Sequence, residues 1–267
     1  MRSVKKYCFD WDNHIVRFMM IMFLAVLPVL LLLYYVYSKD RRSPEPLSML
    51  VLAFLVGCFS CLPASIMEQW LMPFAPNDAV LGGLFEGYVV AGLSEELCKL
   101  VLLMLVVWRS RHFDEHFDGI VYAVFVSMGF ACIENVGYVL SSPDAQATAF
   151  MRGLLAVPAH FLFAVAMGYH LSLAKFSSKQ RAMHLLLALV YPVLLHGTYD
   201  SLLMVSERLV STSVEAMAFS GLLSVLFIVF DIRMWRWGLK RIKRMQIMSQ
   251  TEGFDRCDPF KDFKWTD

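Results

Sequence analysis

The sequence predicts an all-α, polytopic transmembrane helix bundle of about seven spans, forming a single membrane domain over residues 1–267. Three observations carry that expectation. Hydrophobic residues make up 58% of the chain and charged residues 18%, against roughly 45–50% and about 25% in soluble domains. The apolar residues fall in runs of about 20 or more, the length a helix needs to cross a bilayer. The connections between runs are short, and in lipid a helix satisfies its own backbone groups where an open sheet does not.

The first run, 18–37, follows a basic stretch with Arg2, Lys5, Lys6 and Arg17. It lacks a small-residue cleavage site and exceeds a signal-peptide core in length, so it reads as a span. The second run, 47–72, holds Cys58-x-x-Cys61. With no second pair nearby, these two read as small packing residues rather than a metal or redox pair, and the six cysteines imply no disulfide framework. The third run, 80–108, is longer than a perpendicular span needs, and Gly83-x-x-x-Gly87 in its first turns permits a close helix crossing. The fourth run, 119–140, follows Asp118, read as a helix N-cap. The fifth, sixth and seventh runs cover 151–173, 183–205 and 216–237. Residues 238–267 read as a basic tail, with Lys240, Arg241, Lys243 and Arg244 beside the last span.

With seven spans, Lys39, Arg41, Arg42, Arg109, Arg111, Lys175, Lys179, Arg181 and the tail share one side. Arg152 and Arg208 lie on the other, together with the basic N-terminal stretch, which weighs the opposite way. The larger cluster places the C-terminus in the cytoplasm.

Ionisable residues inside spans are rare and usually face the bundle interior or a watery cavity. The third span holds Glu95, Glu96 and Lys99. Glu95 and Lys99 share a helix face and can pair, while Glu96 points about 100° away and stays available. The fourth span holds Glu134 and Asn135, the fifth His160, and the sixth His196 and Asp200 on one face. At about 1.5 Å per residue, Glu134, His160, His196 and Asp200 fall in the same half of the membrane, the outer half in this orientation, and Glu95 and Glu96 lie near mid-depth. A shared cavity explains that common level. Glu68 and Glu86 sit near span ends and read as snorkelling or capping groups. Asp231 is expected to pair with Arg233 or Arg236.

Carboxylates and imidazoles without a nucleophile and its base point to water activation. One route uses zinc, held by His and carboxylate ligands with one position open. The other uses a carboxylate as general base in a poorly solvated cavity, with imidazoles and Asn135 stabilising the oxyanion.

Glu95-Glu96-x-x-Lys99, Phe130-x-x-x-Glu134-Asn135 and His196-x-x-x-Asp200, in this order on separate spans, resemble the PrsW family of intramembrane proteases, as does the stretch 118–135. The resemblance covers roughly residues 80–205, the protease-like core. It implies a helical protease of the bacterial cell membrane, related to the CAAX prenyl proteases and to the Aph-1 subunit of gamma-secretase. Such an enzyme cuts a single-span, anti-sigma-factor-like protein near the outer membrane face. Glu95 and Glu96 match the family's paired glutamates and His196 its later histidine. His160 falls where the family tends to have a histidine. Glu134 stands where CAAX proteases place a His and Asp200 where they place an Asn, which argues against a CAAX substrate.

The expected catalytic residues are therefore Glu95, Glu96, Glu134 and His196. The expected metal ligands are Glu134, His160, His196 and Asp200, with Lys99 and Asn135 in support and zinc as the metal. The partners are the bilayer and the membrane-anchored substrate, with no nucleic acid. Two other readings stand beside this one: a non-catalytic scaffold of Aph-1 type, and a transporter, against which no internal repeat or paired interrupted helices are found.

Overall fold

The computed structural model describes residues 2–40, 43–177, 179–210 and 213–256, with side chains from Ile15 to Thr251. Arg41, Arg42, Cys257 and the rest of 257–267 lie outside the described residues, as do the side chains of Arg2, Lys5, Lys6 and Cys8. The chain runs through α1 (Arg2–Lys39), α2 (Leu47–Leu71), α3 (Ala79–Phe85), a π-helical segment (Glu86–Leu93), α4 (Ser94–Val107), α5 (Asp118–Ser141), α6 (Ala145–Leu154), α7 (Ala156–Phe176), α8 (Arg181–Leu209) and α9 (Val214–Arg256). A single 3-10 turn, Met72–Phe74, extends α2. Six helices, counting α6 and α7 together, are long and apolar enough to cross a membrane. The continuous run from α3 through α4 supplies the seventh expected span, and Glu86, Glu95, Glu96 and Lys99 lower its hydropathy.

The helices sort by what surrounds them. α5 and α7 form the centre, and nearly every residue of 118–131 and 159–172 is buried. A helix that is apolar all round belongs in such a position. α1, α2 and α9 wrap the outside and present Phe23, Leu31, Leu55, Phe59, Val225 and Ile228 outward, the faces that lipid covers. Four differences from the sequence reading arise from packing. The fifth run is interrupted at Leu155, so Arg152 sits on the separate, amphipathic α6. The basic segment after 237 is no separate tail within the described residues, because α9 continues to Arg256. Its Ile242 and Met245 join the core, and its Gln246 Nε2 donates to Lys39 O at 2.8 Å. Asp118 does not cap α5; its Oδ2 accepts the backbone N–H groups of Asp114 (3.0 Å) and Glu115 (2.6 Å) from the preceding turn. Asp231 meets neither arginine, and its buried Oδ1 makes no hydrogen bond among the described residues.

Small residues set the closest crossing. A Cβ on Gly57 of α2 would lie 1.9 Å from the Val126 carbonyl oxygen of α5, and one on Gly129 would lie 2.0 Å from that of Phe54. No real side chain fits at such distances, so both backbones meet directly. The thiols of Cys58 and Cys61 then reach across, each 3.4 Å from an α5 carbonyl oxygen, those of Gly129 and Phe130. The Cys-x-x-Cys spacing is thus a packing device, as its isolation in an apolar run suggested. Gly83 and Gly87 likewise admit α8, at Val205 and Ser201.

Gly129→Val is expected to lower stability by about 3 kcal/mol through overpacking at this crossing. Gly221→Val, on a face of α9 with nothing within 4 Å, should be close to neutral. Thermal unfolding of the two variants in detergent measures the difference.

Candidate active site

Four helical segments bring the intramembrane polar residues to one point. The π-helical segment packs against α8, where the Tyr88 ring lies on Gly197 and its hydroxyl meets Thr198 Oγ1 at 2.7 Å. Short π segments recur at functional sites because the extra residue re-aims the turns after it. In this helix those turns carry Glu95 and Glu96. Lys99, one turn on and fully buried, donates to Glu95 Oε2 at 3.0 Å and to Glu96 Oε1 at 2.8 Å. The Phe130 ring of α5 covers the ammonium at 3.9 Å, a cation–π contact in a desolvated setting. The aromatic residue of the Phe-x-x-x-Glu-Asn motif therefore shields the lysine of the first motif.

The polar chain runs outward in two directions. On one side Lys99 Nζ meets His160 Nδ1 at 3.2 Å. An ammonium has no lone pair to accept with, so Nδ1 accepts and Nε2 carries the proton. That Nε2–H donates to Glu134 Oε2 at 2.8 Å, and Arg152 Nη2 from α6 pairs with the same oxygen at 2.9 Å. On the other side His196 Nδ1 lies 2.9 Å from Glu96 Oε1 and 4.0 Å from Glu95 Oε2, while its Nε2 lies 3.1 Å from Asp200 Oδ2. Phe163 stacks on His196 at 4.7 Å, and the two imidazoles stand edge to face at 5.3 Å. Glu95, Glu96, Lys99, Glu134, His160, His196 and Asp200 are thus brought together.

Beside this cluster lies a cavity of about 840 Å³ walled by α2, the π-helical segment, α4, α5, α6, α7 and α8. Glu68, Glu95, Glu134, His160, His196 and Asp200 line it; Glu96 does not. The expected division of labour between the paired glutamates is reversed. Lys99 binds both, Glu96 is completely buried behind His196, and Glu95 faces the cavity.

Three further expectations change. Asn135 points away from the cavity: its Nδ2 donates to Ala25 O on α1 at 2.7 Å, and its Oδ1 accepts Arg152 Nε at 3.1 Å. It cannot meet an oxyanion there; it supports the site by holding the arginine that holds Glu134. The metal-competent group is Glu95, Glu96, His160 and His196, whose donor atoms lie within 4.8 Å of one another. Glu134 and Asp200 stand behind the two imidazoles, the place of orienting carboxylates rather than ligands. Glu86 neither snorkels nor caps; it pairs with Arg208 of α8. The sequence reading missed Arg152, although a charge at the second position of an apolar run marks it, and Glu68, whose place at a span end hid its bearing on the cavity.

The donor set suits a metal. Two imidazoles and two carboxylates are zinc-type ligands, and Glu96 Oε2 is buried with no hydrogen-bond partner among the described residues, an acceptor left for a cation.

Comparison with known proteins agrees with the geometry. The family described as PrsW family intramembrane metalloprotease matches residues 45–231. Proteins named Protease PrsW are similar over most of the chain. That of Clostridioides difficile is 34% identical over 83% of this chain and 89% of its own length, and that of Bacillus subtilis 34% identical over 85% and 96%. That of Geobacillus kaustophilus is 39% identical over 69% and 80%. No solved structure matches.

Removing the ammonium by Lys99→Met should leave two buried carboxylates uncompensated and cost about 3–5 kcal/mol, seen as loss of folded protein in detergent. Asn135→Ala should cost about 1–3 kcal/mol by orphaning its partners, and yield folded protein with a lowered Tm. By its helical membrane fold, its sequence match and its intramembrane carboxylate–histidine cluster, the chain belongs to the PrsW family of intramembrane metalloproteases.

Proposed function

We propose that this chain hydrolyses a peptide bond of a single-span, anti-sigma-factor-like membrane protein at the cavity, with Glu95 as general base. The observation that carries the reading is the pair Glu95 and His196: carboxylate and imidazole side by side on the wall of a cavity at membrane depth. Glu95 takes a proton from water as its oxygen attacks the scissile carbonyl carbon. The proton then passes to the departing amine as the C–N bond breaks. His196 is oriented at both nitrogens, by Glu96 and by Asp200. His160 is oriented by Glu134, and Arg152 holds that glutamate from the cavity rim. Preset groups of this kind stabilise developing charge without reorganising during the reaction.

The residues fit a zinc ion. Glu96, His160 and His196, three of the four clustered donors, would hold it and leave Glu95 free as the base; it would supply Lewis acidity to the water and the carbonyl.

Charge bears on the place of the cut. The cavity reaches toward Met72, Ser141 and Met204, at the end of the bundle opposite Lys39, Arg109, Lys175 and Arg241. The positive-inside rule assigns the basic end to the cytoplasm. The bond cut then lies toward the outer face of the bacterial cell membrane, and the C-terminus is cytoplasmic.

The test is cleavage of a single-span substrate tagged at both ends, in proteoliposomes. Glu95→Gln and His196→Ala should each lower cleavage at least about 100-fold, as loss of acid–base catalysis does, while the variants remain folded. Cleavage by both variants at the wild-type rate would sink the reading and favour a scaffold role. Elemental analysis should find one zinc per chain, lost in His160→Ala and His196→Ala. An active, metal-free preparation would overturn the zinc assignment alone.

A further inference from the structure

Five carboxylates line the catalytic cavity: Glu68, Glu86, Glu95, Glu134 and Asp200. Four of them have partners. Glu86 pairs with Arg208, Glu95 with Lys99, Glu134 with Arg152 and His160, and Asp200 with His196. Glu68, half-buried on α2, makes no hydrogen bond or ion pair among the described residues.

The cations nearby are engaged elsewhere. Lys99 is enclosed by Glu95, Glu96 and the ring of Phe130. Arg208 is held by Glu86. Arg152 is bound by Glu134 and Asn135 and stacks on the Tyr138 ring at 3.8 Å. Among the charged groups that act on Glu68, Glu134 comes first, ahead of Lys99 and His196, and repels it. A carboxylate partly withdrawn from water and without a partner is costly. A cation brought by another molecule relieves that cost.

The place of Glu68 in the fold says where on a substrate that cation stands. Glu68 lies in the last turn of α2, which ends at Leu71. Trp70 and Phe74 follow it, both exposed and edge to face at 5.9 Å, aromatic residues of the kind that mark a membrane interface. Glu95 and His196 face the same cavity from the middle of their spans. Glu68 therefore stands between the reacting groups and the outer interface. A substrate whose bond lies at Glu95 passes Glu68 with its outer flank, where a Lys or Arg extends toward the interface on a long apolar stem. Outer flanks are poor in Lys and Arg, so a basic residue there sets one single-span protein apart from most others. We propose that Glu68 is a specificity-determining residue that selects single-span substrates carrying a Lys or Arg on the outer flank of the bond to be cut. This rests on the hydrolysis proposed above for the same cavity.

The experiment uses single-span probes tagged at both ends, identical except that each outer-flank position in turn carries Lys, Gln or Glu. Cleavage by the full-length protein in proteoliposomes gives kcat and KM. Binding of the same probes to Glu95→Gln protein gives affinity without chemistry. At the matching position the wild type should favour Lys over Gln by about 10-fold in kcat/KM, the worth of a charged hydrogen bond, carried in KM rather than kcat. Glu95→Gln should show the same preference in Kd. Glu68→Gln should abolish the preference, and Glu68→Lys should reverse it in favour of Glu. A ratio taken within one variant does not depend on how much of that variant folds. No Lys preference at any position, or the same preference in wild type and Glu68→Gln, would overturn the proposal and leave hydrolysis standing. A Glu68-dependent preference in binding, with no cleavage by the wild type, would sink the hydrolysis and leave the recognition standing. Neither binding nor cleavage of any probe would overturn both.

Discussion

The Lys99 ammonium lies wholly out of solvent between Glu95, Glu96, His160 and the ring of Phe130. Stripping one ion of water inside a protein costs several kcal/mol, and a buried pair holds only with good geometry and few polar atoms left over. Here one cation touches two carboxylates of its own helix and an imidazole of another. Each partner passes the constraint on. Glu96 fixes His196, His196 meets Asp200, His160 meets Glu134, and Glu134 is held by Arg152. The position of α4 against α7 and α8 is thus set by charge as much as by shape. Lipid offers no hydrophobic drive between helices, so close packing and polar contacts carry that task.

The bundle is built so that this cluster can exist at all. α5 and α7 are buried around most of their circumference and present Phe130, Glu134 and His160 to α4 and α8 from a rigid centre. The backbone contact of α2 with α5 at Gly57 and Gly129 holds that centre from the other side. Sites on rigid elements keep their geometry better than sites on loops. Only Arg152 arrives from a short peripheral helix, α6, and Asn135 ties it to α5 and α1.

Much of this was legible in the sequence. Run lengths marked the spans, and 3.6-residue spacing with antiparallel neighbours put Glu134, His160, His196 and Asp200 at one level, where the structure brings them together with Glu95 and Glu96. What stayed illegible was direction. Spacing on an ideal α-helix paired Lys99 with Glu95 alone, but a lysine stem is long enough to meet both glutamates. Nothing in the spacing told which glutamate faced the cavity. Asn135 adjoins Glu134 in sequence, yet its side chain leaves the helix about 100° away, and so it met α1. Arg152 looked like a loop charge because the break at Leu155 leaves no mark in an apolar run. Asp118 looked like a cap because Asp before Gly at a helix start usually is one; its oxygen turned back to the preceding turn instead.

The π-helical segment Glu86–Leu93 carries a consequence of its own. Relative to an α-helix of the same path, it takes in surplus length without lengthening the span. The bearing of Glu95 and Glu96 is therefore a matter of phase, not of identity. A chain shortened by one residue between 86 and 93 could keep every hydrophobic contact near the membrane boundaries, and every motif residue, while rotating the acidic pair off the cavity wall. Insertion and deletion in this stretch thus act like a gear change, silent in composition and decisive for what the pair can reach.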